Sequence, residues 1–166
     1  MRTRIWTSFF RDASFSRRAA RRRLEGLYAE MGTTAYALVV GVSDVDHRRF
    51  FPNAFLVDNH DGPIANLRTD DEFQDLDLIG DGSFALIVCP GVLQRVSEPG
   101  RLVSEFHRIL TPGGRLVLSL HRNARRDGAG DGDREVSSDV LRRWFSAWSG
   151  FEMLRGTNDV HAVVVR

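Results

Sequence analysis

Short apolar runs that alternate with polar or helical segments are the feature that most restricts the fold of this chain. The four strong runs are Ala35–Val40, Ala54–Val57, Phe84–Cys89 and Arg115–Leu120. Runs this short, with β-branched residues, are typical of strands buried on both faces of a parallel sheet. Glu98–Leu110 instead places its apolar residues on one helical face. Strands that alternate with helices in this way predict βαβ units with right-handed crossovers.

The remaining segments extend the same alternation towards both ends of the chain. Helices are predicted over Ser14–Met31, which is rich in arginine, over a turn or two of Ser43–Phe51, and over Val136–Trp148, with Ser137 or Ser138 as its cap. A weak strand is predicted near Ile64–Leu67, and a C-terminal hairpin from Phe151–Arg155 and His161–Val165. Thr111–Gly114 ends the helix before it, and His121–Glu135, rich in Gly, Asp and Arg, is predicted to be a mobile loop.

This order predicts an α/β fold: a Rossmann-like, doubly wound and mostly parallel sheet with an antiparallel C-terminal strand. A length of 166 residues is typical of one domain. Its predicted parts are a basic helical segment (1–34), a core (35–120), a mobile loop (121–135) and a terminal helix with a hairpin (136–166). Ligands of such sheets bind beyond the carboxyl ends of the strands, where the strand order reverses.

Composition excludes several kinds of chemistry. All 23 basic residues are arginine, which excludes a Schiff-base lysine and the lysine of a phosphate-binding P-loop. A net charge of +1 favours neither nucleic acid nor membrane as a partner. The single cysteine cannot form an intrachain disulfide, and no apolar run has the length of a membrane span or a secretory signal. We therefore expect a cytoplasmic protein.

Three segments resemble the class I S-adenosylmethionine-dependent methyltransferases, in particular the small type 11 kind. Gly82–Cys89 is similar to the phrase GSFDLVV of that family, Val92–Val96 to LEHV, and Glu105–Leu116 to E-x-x-R-x-L-x-P-G-G-x-L. Phe51–Ala54 also resembles the FPNA that precedes the second strand in one branch. The resemblance covers roughly Ala37 to Leu120, and it implies the class I methyltransferase fold.

The resemblance also implies S-adenosylmethionine as the cofactor, with S-adenosylhomocysteine as the product. In that case the methionine end of the cofactor would lie over Gly41, Val42, Ser43, Cys89, Pro90 and Gly91. Asp58 is placed to accept the ribose hydroxyls, with Asp61 as the competing assignment if the strand is longer. Asp70 or Asp71 would contact the adenine amino group.

Some positions depart from the family pattern. Val39 stands where the acidic residue of the E-x-G-x-G loop is usual, and Gly41 is the one glycine of that loop that this chain keeps. Ala85 replaces an aspartate, and Gln94-Arg95 replace Glu-His. The leading hypothesis is methyl transfer to a small-molecule acceptor. The alternative is a domain that has lost methyl transfer and acts as a regulatory or scaffolding partner, or that runs another reaction in the same pocket.

Other reactive side chains each have two interpretations. His121 follows a strand at the mouth of the expected pocket and is the candidate general base, or else an exposed polar residue. The five histidines lack the spacing of a metal site, so no metal is expected. Cys89 is interpreted as a small buried apolar residue. The Arg17–Arg23 cluster is a solvated helix face or a surface for a protein partner. The acceptor, the catalytic base and the oligomeric state do not follow from the sequence.

Overall fold

The computed structural model describes residues 22, 25–26, 28–29, 36–41, 47–59, 65–121, 136–155 and 159–166. Several predictions lie outside these residues: most of the N-terminal helix, the positions Val42, Ser43 and Asp61, and the loop that follows His121. Within the predicted N-terminal helix, the residues that are described are helical.

Short strands and helices alternate along the described chain, as predicted. In chain order the elements are β1 (Ala37–Val40), α1 (His47–Phe50), β2 (Phe55–Asp58), β3 (Leu67–Arg68), a 3₁₀ helix (Gln74–Leu78), β4 (Phe84–Pro90), α2 (Pro99–Ile109), β5 (Leu110–His121), α3 (Ser138–Trp144), β6 (Gly150–Arg155) and β7 (Asp159–Val165).

The described strands form one sheet in the order β3-β2-β1-β4-β5-β7-β6. All neighbours are parallel except β7, which runs antiparallel to both β5 and β6. This confirms the predicted fold class. The strand order reverses between β1 and β4, so the carboxyl ends of these two strands form the edge where a ligand of such a sheet binds.

Both faces of the sheet are buried, and the side chains of each strand alternate between them. Leu38 and Val40 of β1 belong to one apolar cluster, which includes Phe106 of α2. Val39, between them, belongs to a second cluster on the opposite face, which includes Tyr28. Because successive strand residues point to opposite faces, the unbroken apolar run of β1 is explained by this double cover.

The prediction that Thr111–Gly114 separates α2 from the next strand was partly wrong. The helix does end there, but β5 already begins at Leu110, which pairs with Phe84. The ladder is then irregular until Arg115 pairs with Leu86. Gly113 takes a φ of 74° within this irregularity. The four residues therefore form a bulge inside the strand, a role that a break in the apolar pattern does not distinguish from a loop.

Other boundaries also differ from the predictions, among them the start of β3 at Leu67 rather than near Ile64. α3 ends at Trp144 rather than Trp148, and the Ser146 hydroxyl donates to the carbonyl oxygen of Arg143 at 3.0 Å in the turn that follows. At its start, the Ser137 hydroxyl accepts from the amide of Val140, so Ser137 rather than Ser138 is the cap. β7 begins at Asp159 rather than at His161, because the neighbouring β5 is long enough to pair with it there.

Candidate functional site

The turn after β1 requires glycine at position 41. Gly41 has a φ of 92°, and its amide donates to the carbonyl oxygen of Val57 at 2.8 Å. A Cβ on this residue would lie 2.4 Å from Cγ2 of Val92. The chain therefore turns sharply against the segment that follows β4, as a loop beneath a ligand must.

Asp58 ends β2 at the same edge of the sheet and is 8% exposed. Its Oδ1 accepts from the amide of Asn59 at 2.8 Å. Its carbonyl oxygen accepts from the amide of Thr69 at 3.1 Å, which holds the end of β3 beside it. The carboxylate therefore lies at the edge of the sheet beside the Gly41 turn.

Asn59 links two of the acidic residues singled out in the sequence. Its Nδ2 donates to Oδ1 of Asp71 at 2.9 Å, while its amide donates to Asp58. The structure thus brings Asp58 and Asp71 together at the ends of β2 and β3. Sequence reasoning missed Asn59, although an amide side chain directly after a strand-end carboxylate is the signal that could have found it.

Asp70 has a different local role. Its Oδ1 accepts from the amides of Glu72 at 3.2 Å and Gln74 at 2.9 Å, and thereby stabilises the turn that leads into the 3₁₀ helix. In that turn the buried Phe73 has a φ of 54°. One oxygen of Asp70 is therefore engaged by its own backbone.

The segment after β4 is tied to the next strand. The amide of Gly91, which has a φ of 66°, donates to the carbonyl oxygen of Ser119 at 2.7 Å. Arg95 Nε donates to the carbonyl oxygen of Gly91 at 3.0 Å. Cys89 is 1% exposed, and burial raises the pKa of its thiol to about 12. The thiol is therefore neutral at physiological pH and unsuited to act as a nucleophile.

Arg108 holds the loop between β3 and β4. Its guanidinium donates to the carbonyl oxygens of Leu76 at 3.0 Å and Ile79 at 2.7 Å, and to the carboxylates of Asp81 and Glu105 at 2.7 Å each. The hydrogen bonds to the carboxylates of Glu105 and Asp81 raise the pKa of Arg108 above its ordinary value. The E-x-x-R part of the sequence motif therefore has a structural role, which its spacing alone did not reveal.

Tyr28 carries a buried hydroxyl on the face of the sheet that includes Val39. Its ring packs at 5.4 Å from His47, 5.7 Å from Phe50 and 5.3 Å from Phe51, centroid to centroid. The hydroxyl has no hydrogen-bond partner among the described residues, and burial raises its pKa. A buried polar atom without a protein partner is a position where a ligand or water is expected.

The histidine and metal predictions are tested only in part. The backbone of His121 ends β5 and pairs with Asp159, but its side chain lies outside the description. Within the described ranges, no three His, Cys, Asp or Glu side chains come together as metal ligands would.

Among the same residues, no helix is both long enough and apolar enough to cross a membrane.

Comparisons with known proteins agree with this architecture. Residues 47–118 match the family model described as a methyltransferase domain. The fold is similar to that of a SAM-dependent methyltransferase from Archaeoglobus fulgidus (TM-score 0.70, 10% identity, 89% of this chain and 92% of that chain). It is also similar to a putative type 11 methyltransferase from Sulfolobus solfataricus (TM-score 0.64, 15% identity, 89% and 91%).

A third similar structure contains ligands. It is the 1,6-didemethyltoxoflavin-N1-methyltransferase of Burkholderia thailandensis with bound 1,6-didemethyltoxoflavin and S-adenosylhomocysteine (TM-score 0.63, 18% identity, 88% of this chain and 77% of that chain). No curated protein matches the sequence. β1 and Gly41 precede the residues matched by the family model, so the match does not test that loop.

The chain therefore has the fold of the class I S-adenosylmethionine-dependent methyltransferases. Its residues 47–118 match the family model described as a methyltransferase domain, in agreement with the resemblance inferred from the sequence. The cofactor of proteins with this fold is S-adenosylmethionine, and the Burkholderia thailandensis protein is described with S-adenosylhomocysteine bound.

The described residues fit that cofactor. Asp58 and Asp71 place carboxylate oxygens near the ends of β2 and β3, and such oxygens accept hydrogen bonds from hydroxyl or amino donors. Gly41 presents a turn without a Cβ beside the end of β2.

Proposed function

We propose that this protein transfers the methyl group of S-adenosylmethionine to a small-molecule acceptor. The observation that carries the proposal is the carboxylate of Asp58, which is 8% exposed and ends β2 beside the Gly41 turn. In dinucleotide-binding folds an acidic residue at this place, near the edge where the strand order reverses, accepts hydrogen bonds from ribose hydroxyls.

Different residues of the chain then bind different parts of the cofactor. Asp58 accepts from the ribose hydroxyls. Asp71 accepts from the adenine amino group, because Asn59 links it to Asp58, whereas Asp70 caps the turn before the 3₁₀ helix. The methionine end lies over Gly41, Val42, Ser43, Cys89, Pro90 and Gly91. The bound cofactor supplies an electrophilic methyl group, and the protein aligns the acceptor with it.

A small acceptor is supported by two observations. The strands and helices described here are those of the methyltransferase fold itself, and the Burkholderia thailandensis protein of similar fold is described with a small molecule, 1,6-didemethyltoxoflavin. S-adenosylhomocysteine leaves as the product. The cytoplasmic location expected from the composition stays a prediction.

Calorimetric titration with S-adenosylmethionine and S-adenosylhomocysteine tests this proposal. Asp58→Asn keeps the size of the side chain and removes its charge, and Asp77→Asn is the matched control on the exposed 3₁₀ helix. Loss of hydrogen bonds to a charged group, about 1.5–3 kcal/mol, predicts a Kd that rises roughly 10-fold to 150-fold in Asp58→Asn. Asp77→Asn should bind like the wild type. Equal affinities for all three proteins would contradict the assignment.

The alternative function, a domain without methyl transfer, is favoured by one feature. Val39 is 0% exposed and packs within the sheet, so no carboxylate is present at that position to bind the cofactor. Such a domain would act as a regulatory or scaffolding partner through the Arg17–Arg23 cluster, or would run another reaction in the same pocket. If neither ligand produces heat with the wild-type protein, this alternative replaces the proposal.

A further inference from the structure

We propose that Ser119 and His161 form a proton relay for the methyl acceptor, and that the acceptor is a neutral hydroxyl or N–H group that loses its proton on methylation. This inference rests on the proposed methyl transfer and specifies the acceptor class at the same site.

The two side chains are hydrogen-bonded across neighbouring strands. Ser119 Oγ lies 3.0 Å from Nδ1 of His161, and the two residues are paired in the β5–β7 ladder. His161 is 6% exposed, whereas Ser119 is only partly buried. The serine is therefore the member that a ligand reaches first, with the imidazole behind it.

The position of the pair places it beside the proposed methyl donor. Pro90 of β4 pairs with Ser119, which pairs in turn with His161, so the three form one row across the sheet. The amide of Gly91 also donates to the carbonyl oxygen of Ser119 at 2.7 Å. This row lies at the carboxyl ends of β4 and β5, next to the segment assigned to the methionine end of the cofactor.

The row faces the same side of the sheet as Tyr28. Two residues away along each strand, Val88, Val117 and Val163 form the next row, and they belong to the apolar cluster that includes Tyr28. Since side chains alternate along a strand, Ser119 and His161 point to that side as well. An imidazole and a hydroxyl thus replace the valines of the neighbouring row at the edge nearest to the ligand.

A valine at position 161 would continue the apolar pattern without the cost of burying an imidazole. Histidine is suited to proton transfer because its ordinary pKa lies near neutrality. Of the described residues at this edge, Asp58 and Asp71 lie across β1, on the side assigned to the adenosine part. The Ser119–His161 pair lies on the opposite side of β4, where an acceptor in line with the methyl group is expected.

The step balances as follows. A lone pair of the acceptor oxygen or nitrogen forms the new bond to the methyl carbon, while the C–S bond breaks and its electron pair stays on sulfur. The acceptor proton passes to Ser119 Oγ, and the serine proton passes to Nδ1 of His161. The positive charge of the sulfonium is replaced by that of the imidazolium, which later releases its proton to water.

This chemistry separates two classes of acceptor. A neutral phenol or N–H acceptor gains from the relay because its proton must leave, and general base catalysis of that kind contributes typically 10²-fold to 10⁴-fold. An acceptor that is already an anion has no proton to lose. Methylation of an anion therefore does not depend on Ser119 or His161.

Methyl transfer to two phenols provides the kinetic test. At neutral pH phenol is neutral, whereas pentafluorophenol is ionised. In Ser119→Ala, in His161→Gln and in the double variant, we expect kcat for phenol to fall by about 100-fold with KM changed little. For pentafluorophenol kcat should fall less than about threefold. Ser104→Ala and His107→Gln, both on α2, are the matched controls and should behave like the wild type.

Several results would overturn the relay. Equal losses for the two phenols indicate a structural role for the pair, and so does an absence of loss. A wild-type protein that binds S-adenosylmethionine but methylates neither phenol nor pentafluorophenol removes the assigned acceptor class while it leaves the proposed function intact. Absence of cofactor binding by calorimetry refutes the proposed function itself. Ser119→Ala changes one oxygen atom and carries the test if His161→Gln fails to fold.

A second measurement needs no acceptor. In ¹⁵N-histidine NMR spectra, the signals of His161 are identified by their loss in His161→Gln, and the other histidines serve as internal references. The relay requires that Ser119 donates to Nδ1, so that the ring hydrogen is on Nε2. Ser119→Ala should then shift the Nδ1 signal of His161 selectively. A hydrogen on Nδ1 in the wild-type protein would refute the relay, because that nitrogen could not take the serine proton.

Discussion

Replacement of Gly41 by alanine combines two destabilising effects that the structure allows to be separated. The residue has a φ of 92°, where a side chain is strained by about 1–3 kcal/mol. The added Cβ would also lie 2.4 Å from Cγ2 of the buried Val92, and overpacking of a core costs about 1–3 kcal/mol. We therefore expect Gly41→Ala to lower the free energy of unfolding by about 2–6 kcal/mol.

Gly82→Ala is the matched control. Gly82 also has a positive φ, 59°, but an added Cβ there meets no atom within 4 Å. This variant should lose only the backbone contribution, about 1–2 kcal/mol. The difference between the two variants therefore contains the contact with Val92 together with the difference in backbone strain between the two φ values.

A double-mutant cycle isolates the same contact. Val92→Ala alone removes two buried methyl groups and should cost about 2 kcal/mol. Combined with Gly41→Ala it also removes the clash, so the double variant should be more stable than the sum of the two single effects by about 1–3 kcal/mol. Urea denaturation at 25 °C, with the slope of the transition compared between variants, measures each value. Strict additivity, or a loss in Gly41→Ala no larger than in Gly82→Ala, would refute the reasoning.

Three further predictions concern other parts of the fold. Cys89 is 1% exposed, and the pKa of its thiol is raised to about 12. It should therefore react with a disulfide reagent far more slowly in the native protein than in denaturant. An equal rate would show that the site opens readily. Arg108→Met should lower the free energy of unfolding by about 2 kcal/mol, because two carbonyl oxygens lose a charged donor. Urea denaturation measures this loss, and a change below about 0.5 kcal/mol would contradict the prediction. Burial, and secondarily the charge of Arg166, lowers the pKa of His107 below its ordinary 6.5. The unfolded chain then binds that proton more readily, so stability should fall as the pH drops below about 6.5, and His107→Gln should flatten this part of the curve; an unchanged curve would argue against the lowered pKa.

The site could be predicted from the sequence only at the level of strand ends. Asp58 and Gly41 follow apolar runs, so their place at the carboxyl edge of a parallel sheet is a consequence of local pattern and fold class. The choice between Asp70 and Asp71 could not be made in this way. That choice depends on which carboxylate accepts hydrogen bonds from its own turn and which one accepts from the side chain of Asn59, at the end of β2.

The sequence by itself determined the alternation of strands and helices, because burial of a sheet on both faces demands short apolar runs and burial of a helix demands one apolar stripe. It also carried the resemblance to the methyltransferase family, through Gly82–Leu116. Only the tertiary structure decided that Thr111–Gly114 is a bulge within β5 and that Arg108 holds the β3–β4 loop. The pairing of Ser119 with His161, which are 42 positions apart, was likewise decided there. Such contacts depend on strand order and register, which bring distant residues together and which no local pattern of hydrophobicity encodes.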